Sequence, residues 1–86
     1  MVYVKDHELR VAVLRKMLRH RWIGGKHTDI DNIPKGFPPH VRNGIVEVTQ
    51  DLIREGFIVR KPTNYGEHVF LNPGKVHEAK KITGML

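Results

Sequence analysis

The stretch Ile45-Val46-Glu47-Val48-Thr49-Gln50-Asp51-Leu52-Ile53-Arg54-Glu55-Gly56-Phe57-Ile58 decides the fold. Val41, Ile45, Val48 and Leu52 recur at i, i+4, i+7 and i+11, a narrow apolar stripe on a helix predicted over about 39–55. Phe37-Pro38-Pro39 suits its start, because a first-turn proline lacks only an N–H that would be unpaired there anyway. Gly56 stops it, and the period then changes. Phe57-Ile58-Val59-Arg60 and His68-Val69-Phe70-Leu71 are β-rich, with the turn formers Pro62-Thr63-Asn64-Tyr65-Gly66 between them. A helix running straight into a β-hairpin over about 57–72 is therefore expected. Gly44 inside the helix costs about 1 kcal/mol relative to alanine if exposed, and a close helix-to-helix contact would explain it.

Outward from this stretch, Val11, Leu14 and Leu18, flanked by Val13 and Met17, predict an amphipathic helix over about 6–20. Asp6 is its expected cap and Glu8 falls in its first turn. Arg15, Lys16 and Arg19 occupy the other side, either as a solvated face or as a phosphate-facing ridge, the former being favoured. Trp22-Ile23, stopped by Gly24-Gly25, reads as a very short strand. Thr28-Asp29-Ile30-Asp31 resembles a capping box, and a helix begun there, about 28–33, must be short because Pro34 disfavours helical geometry at Ile33. Asn72-Pro73 caps a last helix, about 73–83, with Val76, Ala79 and Ile82 toward the core and Gly84 at its end.

The chain has 86 residues, 40% of them hydrophobic, which suits one domain spanning 1–86 with a modest core. Its longest aliphatic run, Val11-Ala12-Val13-Leu14, is far too short to cross a membrane, and Met1 to Asp6 lack the layout of a signal peptide. A cytoplasmic protein is expected. Cysteine and serine are both absent, which removes disulfides, thiolate zinc sites and the commonest nucleophiles. With no phosphate loop and no paired carboxylates, neither an enzyme nor a cofactor is expected. The six histidines form no His-x-x-x-His pair. Only His27 with Asp29 and His40 could converge, and surface or capping roles are favoured over a metal site. Histidines in basic surroundings would strengthen polyanion binding on mild acidification.

The order helix, short strand, short helix, turn, longer helix, hairpin, helix resembles the winged helix-turn-helix family over nearly the whole chain. The carrying residues are the 45–58 stretch quoted above, with its Gly-apolar-apolar step, and Leu71-Asn72-Pro73, which is similar to small stand-alone archaeal-type members. The resemblance implies an α+β fold, a three-helix core with a β-hairpin wing and a C-terminal helix. Thr49 stands where the family often has leucine, and Val48 is expected to supply the contact. It also implies double-stranded DNA as partner and transcription regulation as function, with the third helix in the major groove. On a helical wheel Asn43, Val46, Glu47, Gln50 and Arg54 lie opposite the apolar stripe. Of these, Asn43, Val46, Glu47 and Gln50 are the base-reading candidates. Lys26, His27, Thr28, Lys35, Arg42, Arg60, Lys61, Asn64 and Tyr65 are the phosphate or wing candidates. Tyr65 either stacks on sugar or base, or packs over the hairpin and stiffens the turn.

The net charge is +6, from 15 Lys and Arg against 9 Asp and Glu. It is unevenly spread. Residues 1–43 hold nine basic and four acidic residues, whereas 44–86 hold six and five. From His40 to Glu55 the balance is −1, with Glu47, Asp51 and Glu55 forming an acidic i, i+4, i+8 ridge. That ridge keeps a protein-protein adaptor in view as the alternative function, and RNA binding as a third. Val2, Val4, Met85 and Leu86, with Val76, Ala79 and Ile82 on the last helix, raise the alternative of a homodimer.

Overall fold

The 45–58 stretch folds as its periodicity requires. Ile45, Val48 and Leu52 are buried on one helix face, and Gly56 follows at a φ of +86°, a left-handed turn that glycine enters without Cβ strain. The computed structural model describes residues 2–86, with side chains from Asp6 onward. Its elements are α1 (Val2–His20), β1 (Thr28–Asp29), a 3-10 turn (Ile30–Asn32), α2 (Pro39–Arg54), β2 (Ile58–Thr63), β3 (Gly66–Leu71), a second 3-10 turn (Pro73–Lys75) and α3 (Val76–Thr83). The chain is thus α+β, three helices on an antiparallel sheet of order β1-β3-β2.

Val13, Leu14, Met17 and Leu18 of α1 meet the α2 stripe and the inner sheet residues Ile58, Val69 and Leu71 in one core. Ala79 of α3 closes it. Thr49, in place of a leucine, is also buried; its Oγ1 donates to the Ile45 carbonyl at 2.7 Å, which satisfies the hydroxyl without another side chain. Gly44 sits against α1, where a Cβ would lie 2.6 Å from Leu9 Cδ1. The expected close approach of helices is real, and Leu9 causes it. Leu52 is fully buried, and cutting it to alanine would cost about 2–5 kcal/mol through the cavity left behind.

Four boundaries differ from the sequence reading. α1 begins at Val2, so Asp6 lies inside the helix rather than capping it, and Glu8 is beyond the first turn. Trp22-Ile23 does not form a strand of its own. Ile23 makes a single parallel bridge to Leu71, whose N–H donates to the Trp22 carbonyl at 2.8 Å. Thr28 does not open a helix: Thr28 and Asp29 pair with Val69 and His68 as β1, and the predicted helix shrinks to one 3-10 turn. Asp29 caps that turn by accepting from the Asp31 N–H at 2.9 Å. The predicted capping residue was thus off by one, because pairing with β3 draws Thr28 into the sheet. The last helix starts as a 3-10 turn capped by Asn72, then becomes α3 and ends at Gly84 with φ +71°. Asn72 also donates from Nδ2 to the Gly56 carbonyl at 3.0 Å, tying the end of α2 to the start of α3.

Candidate nucleic-acid interface

α2 and the hairpin position most of the sequence-derived site residues, and the sheet divides them. Side chains along a strand alternate faces, and directly paired residues share one. In the β2–β3 register Ile58 pairs Leu71, Arg60 pairs Val69 and Pro62 pairs Glu67, all toward the α2 side. Lys61 pairs His68 on the opposite face. Neighbours in sequence, Arg60 and Lys61 therefore serve different surfaces.

On the α2 side, Asn43, Val46 and Glu47 are exposed and Gln50 is half-buried. Val46 is 46% exposed, unusual for a valine on a helix packed into the core. Gln50 Oε1 accepts from Arg60 Nη2 at 2.8 Å, and Arg60 Nε lies 3.6 Å from Glu67 Oε2. These contacts join the outward side of α2 to the hairpin in one surface. Between Val46, Thr49 and Gln50 on one side and Ile30, Asp31 and Glu67 on the other lies a recess of about 230 Å³. At the tip, Thr63 Oγ1 donates to the Gly66 carbonyl at 2.7 Å and accepts from the Tyr65 N–H at 3.1 Å, which sets the turn. Tyr65 is 90% exposed. Its ring does not pack over the hairpin, so the stiffening role expected as one alternative is absent. Asn64 is exposed beside it. Pro62 is accommodated because β2 is the sheet edge.

On the far face, His27 and His68 meet with their Nδ1 atoms 2.8 Å apart and their rings edge to face at 5.0 Å. Desolvation, then Lys61, then His68, hold the His27 imidazolium below its ordinary pKa of 6.5. The convergence of His27 and Asp29 with His40 does not occur. Among the described residues no three His, Cys, Asp or Glu side chains gather as metal ligands. The His27–His68 contact crosses from the residue before β1 to β3 and depends on a strand pairing that sequence spacing could not show. Lys26 is exposed, next in sequence to His27.

Two phosphate candidates change role. Thr28 is buried, and its hydroxyl accepts from Asn32 Nδ2 at 2.8 Å, so it belongs to the fold rather than to a surface. Lys35 is exposed but sits with the end of α1, away from α2's outward face. Arg42 is exposed, and its Nε donates to the Phe37 carbonyl at 2.9 Å, which orients it along the start of α2. Of the three basic residues on this side of α1, Arg15 and Lys16 are committed to carbonyls and Arg19 stays exposed. Arg15 donates to the Thr83 carbonyl at 2.8 Å, and Lys16 donates to the carbonyls of Asn32 at 2.8 Å, Ile33 at 3.1 Å and Lys35. Burial, then the nearby Lys35 ammonium, lower the Lys16 pKa. The acidic ridge is largely internal bookkeeping of charge: Glu55 pairs with Arg10 and Asp51 with Arg54. Glu47 has no ion pair among the described residues.

No helix among the described residues is long and apolar enough to cross a membrane. Comparison of the chain with protein-family models, with curated proteins and with solved structures finds no match in any of the three.

Proposed function

We propose that this chain is a winged helix-turn-helix protein that binds duplex DNA, with α2 as the reading helix and the β2–β3 hairpin as the wing. The observation that carries the reading is the Gln50–Arg60 hydrogen bond of 2.8 Å. It links a helix face bearing Asn43, Val46 and Glu47 to a hairpin that carries Arg60 and whose tip presents the 90% exposed Tyr65. Asn and Gln can pair bidentately with adenine, glutamate can accept from a cytosine amine, and valine can touch a thymine methyl. Arg42 and Arg60, both exposed, are the residues assigned to phosphates in this reading. Regulation of transcription follows as the role of such a module, and the excess charge of +6 favours encounter with a polyanion.

A titration with duplex DNA, duplex RNA and single strands across salt tests it. Duplex binding whose affinity falls with salt, with NMR shifts on α2 and the hairpin, supports the reading. Absence of nucleic-acid binding at low salt overturns it in favour of the adaptor. One observation favours that second reading: the recess beside exposed Val46 is walled by Asp31 and Glu67, which suits a basic, apolar peptide better than a phosphate.

A further inference from the structure

We propose that the end of α1 carries a second site, separate from the α2 surface, that takes a nucleoside monophosphate unit. A cleft of about 520 Å³ opens between α1 and the segment leading to α2, within the size range of small-molecule sites. Its walls combine two chemistries. One is aromatic: Trp22 stacks on His20 with centroids 4.3 Å apart and planes within 11°, and Phe37 also lines the cleft. The other is cationic: Arg19 and Lys35 line it, both are exposed, and neither has an ion pair among the described residues. No Asp or Glu lines the cleft.

The third cation, Lys16, is already committed. Its ammonium donates to three carbonyls and lies 5.2 Å from the Phe37 ring centroid, so it fixes the shape of the wall. Arg19 and Lys35 remain to receive an anion. An apolar ligand would leave those two charges unmatched, and inorganic phosphate alone would leave the aromatic wall unused. A base on a phosphorylated ribose satisfies both, the base extending the His20–Trp22 stack and the phosphate reaching Arg19 and Lys35. None of the base-reading candidates Asn43, Val46, Glu47 and Gln50 lines this cleft, and of the phosphate candidates only Lys35 does.

Trp22 is the only tryptophan in the chain, so its indole Nε1–H gives one unambiguous resonance at this cleft. AMP titrated into the full chain should shift that resonance saturably. Adenosine and inorganic phosphate should each bind at least about tenfold more weakly, the loss expected when a charge-assisted contact or the stack is missing. Arg19→Ala/Lys35→Ala should weaken AMP by a similar factor while core amide resonances stay in place. Lys35→Gln alone, which leaves Arg19 in place, should give a smaller loss. A stronger response to single-stranded oligoadenylate than to AMP assigns the unit to a strand, and a response to AMP alone assigns it to the free nucleotide. No saturable shift with either probe, equal binding of adenosine and AMP, or an unaltered affinity in the double variant overturns the site. Duplex binding followed on α2 is read separately, so failure of one reading leaves the other testable.

Discussion

The guanidinium of Arg10 on α1 grips the carboxylate of Glu55 at the C-cap of α2 with two parallel bonds, Nη1 to Oε2 at 2.8 Å and Nη2 to Oε1 at 2.7 Å. The pair joins residues 45 positions apart and ties the end of one helix to the flank of the other.

The bond to Arg10 holds the Glu55 carboxyl below its ordinary value of 4.5, and raises Arg10 in return. A carboxylate with a lowered folded pKa contributes stability that is fully present above its unfolded value and lost as pH falls through the folded one. Both side chains are partly exposed, Glu55 at 46%, so solvent screens the pair and its worth is roughly 0.5–1 kcal/mol. Glu55→Gln should therefore lower stability by that amount in urea denaturation at pH 7. Below the folded pKa the variant and the parent should converge, and added salt should narrow the gap at pH 7.

At Gly44 two effects oppose each other. Alanine would gain up to about 1 kcal/mol of helix propensity, but its Cβ would lie 2.6 Å from Leu9 Cδ1. Leu9 Cδ1 is the far end of a flexible, half-buried side chain that can turn aside at little cost, so Gly44→Ala should leave stability within about 1 kcal/mol of the parent. Leu9→Ala alone should destabilise. The double variant should be more stable than the sum of the two single changes predicts, a favourable coupling readable in a double-mutant cycle of denaturation midpoints.

His27 titrates below its ordinary 6.5 when folded, so the unfolded chain takes up that proton first as pH falls. The sign is then fixed: lowering pH through this window destabilises the fold. Thermal midpoints should fall between pH 7.5 and pH 5. His68→Gln removes the partner imidazole 2.8 Å away and should shrink that fall, with the His27 ring resonance titrating at a higher pH. The same shift delays the histidine contribution to polyanion binding expected from the sequence, so acidification from pH 8 to pH 6 should strengthen DNA binding less than six ordinary histidines would.

The split of the hairpin into two faces separates Arg60 from Lys61. Under the duplex reading, Arg60→Ala should weaken binding across sequences and reduce the salt slope by about one phosphate, while Lys61→Ala should do distinctly less. Gln50→Ala should instead relax sequence preference. Tyr65→Ala should lower affinity without moving the denaturation midpoint by more than about 0.5 kcal/mol, because the ring is 90% exposed and buries nothing in the free chain.

Much of this fold is legible in one dimension. The α2 bounds, the hairpin and the last helix follow from local signals: the stripe Val41–Leu52, the punctuation at Pro39, Gly56 and Gly84, and the Asn72 cap. Those signals act within a few residues, so sequence carries them. Thr28 and Asp29 are different. Their local chemistry favours a cap, and only β3, some 40 positions on, converts them into a strand. The cationic residues diverge for the same reason. As a string, Lys16, His27, Lys35, Arg60 and Lys61 are one basic population. Packing spends Lys16 on carbonyls, pairs His27 with His68, puts Lys35 on the same cleft as Trp22, and sends Arg60 and Lys61 to opposite faces.

By itself, then, the sequence determined the helical periods, the turn positions, the absence of thiols and a net charge of +6, all properties of composition or of near neighbours. Tertiary structure decided which charges remain free and which surfaces they share. A charge's use depends on what lies within a few ångströms of it, and the Arg10–Glu55, Gln50–Arg60 and His27–His68 contacts all arise between elements that meet only when the chain folds.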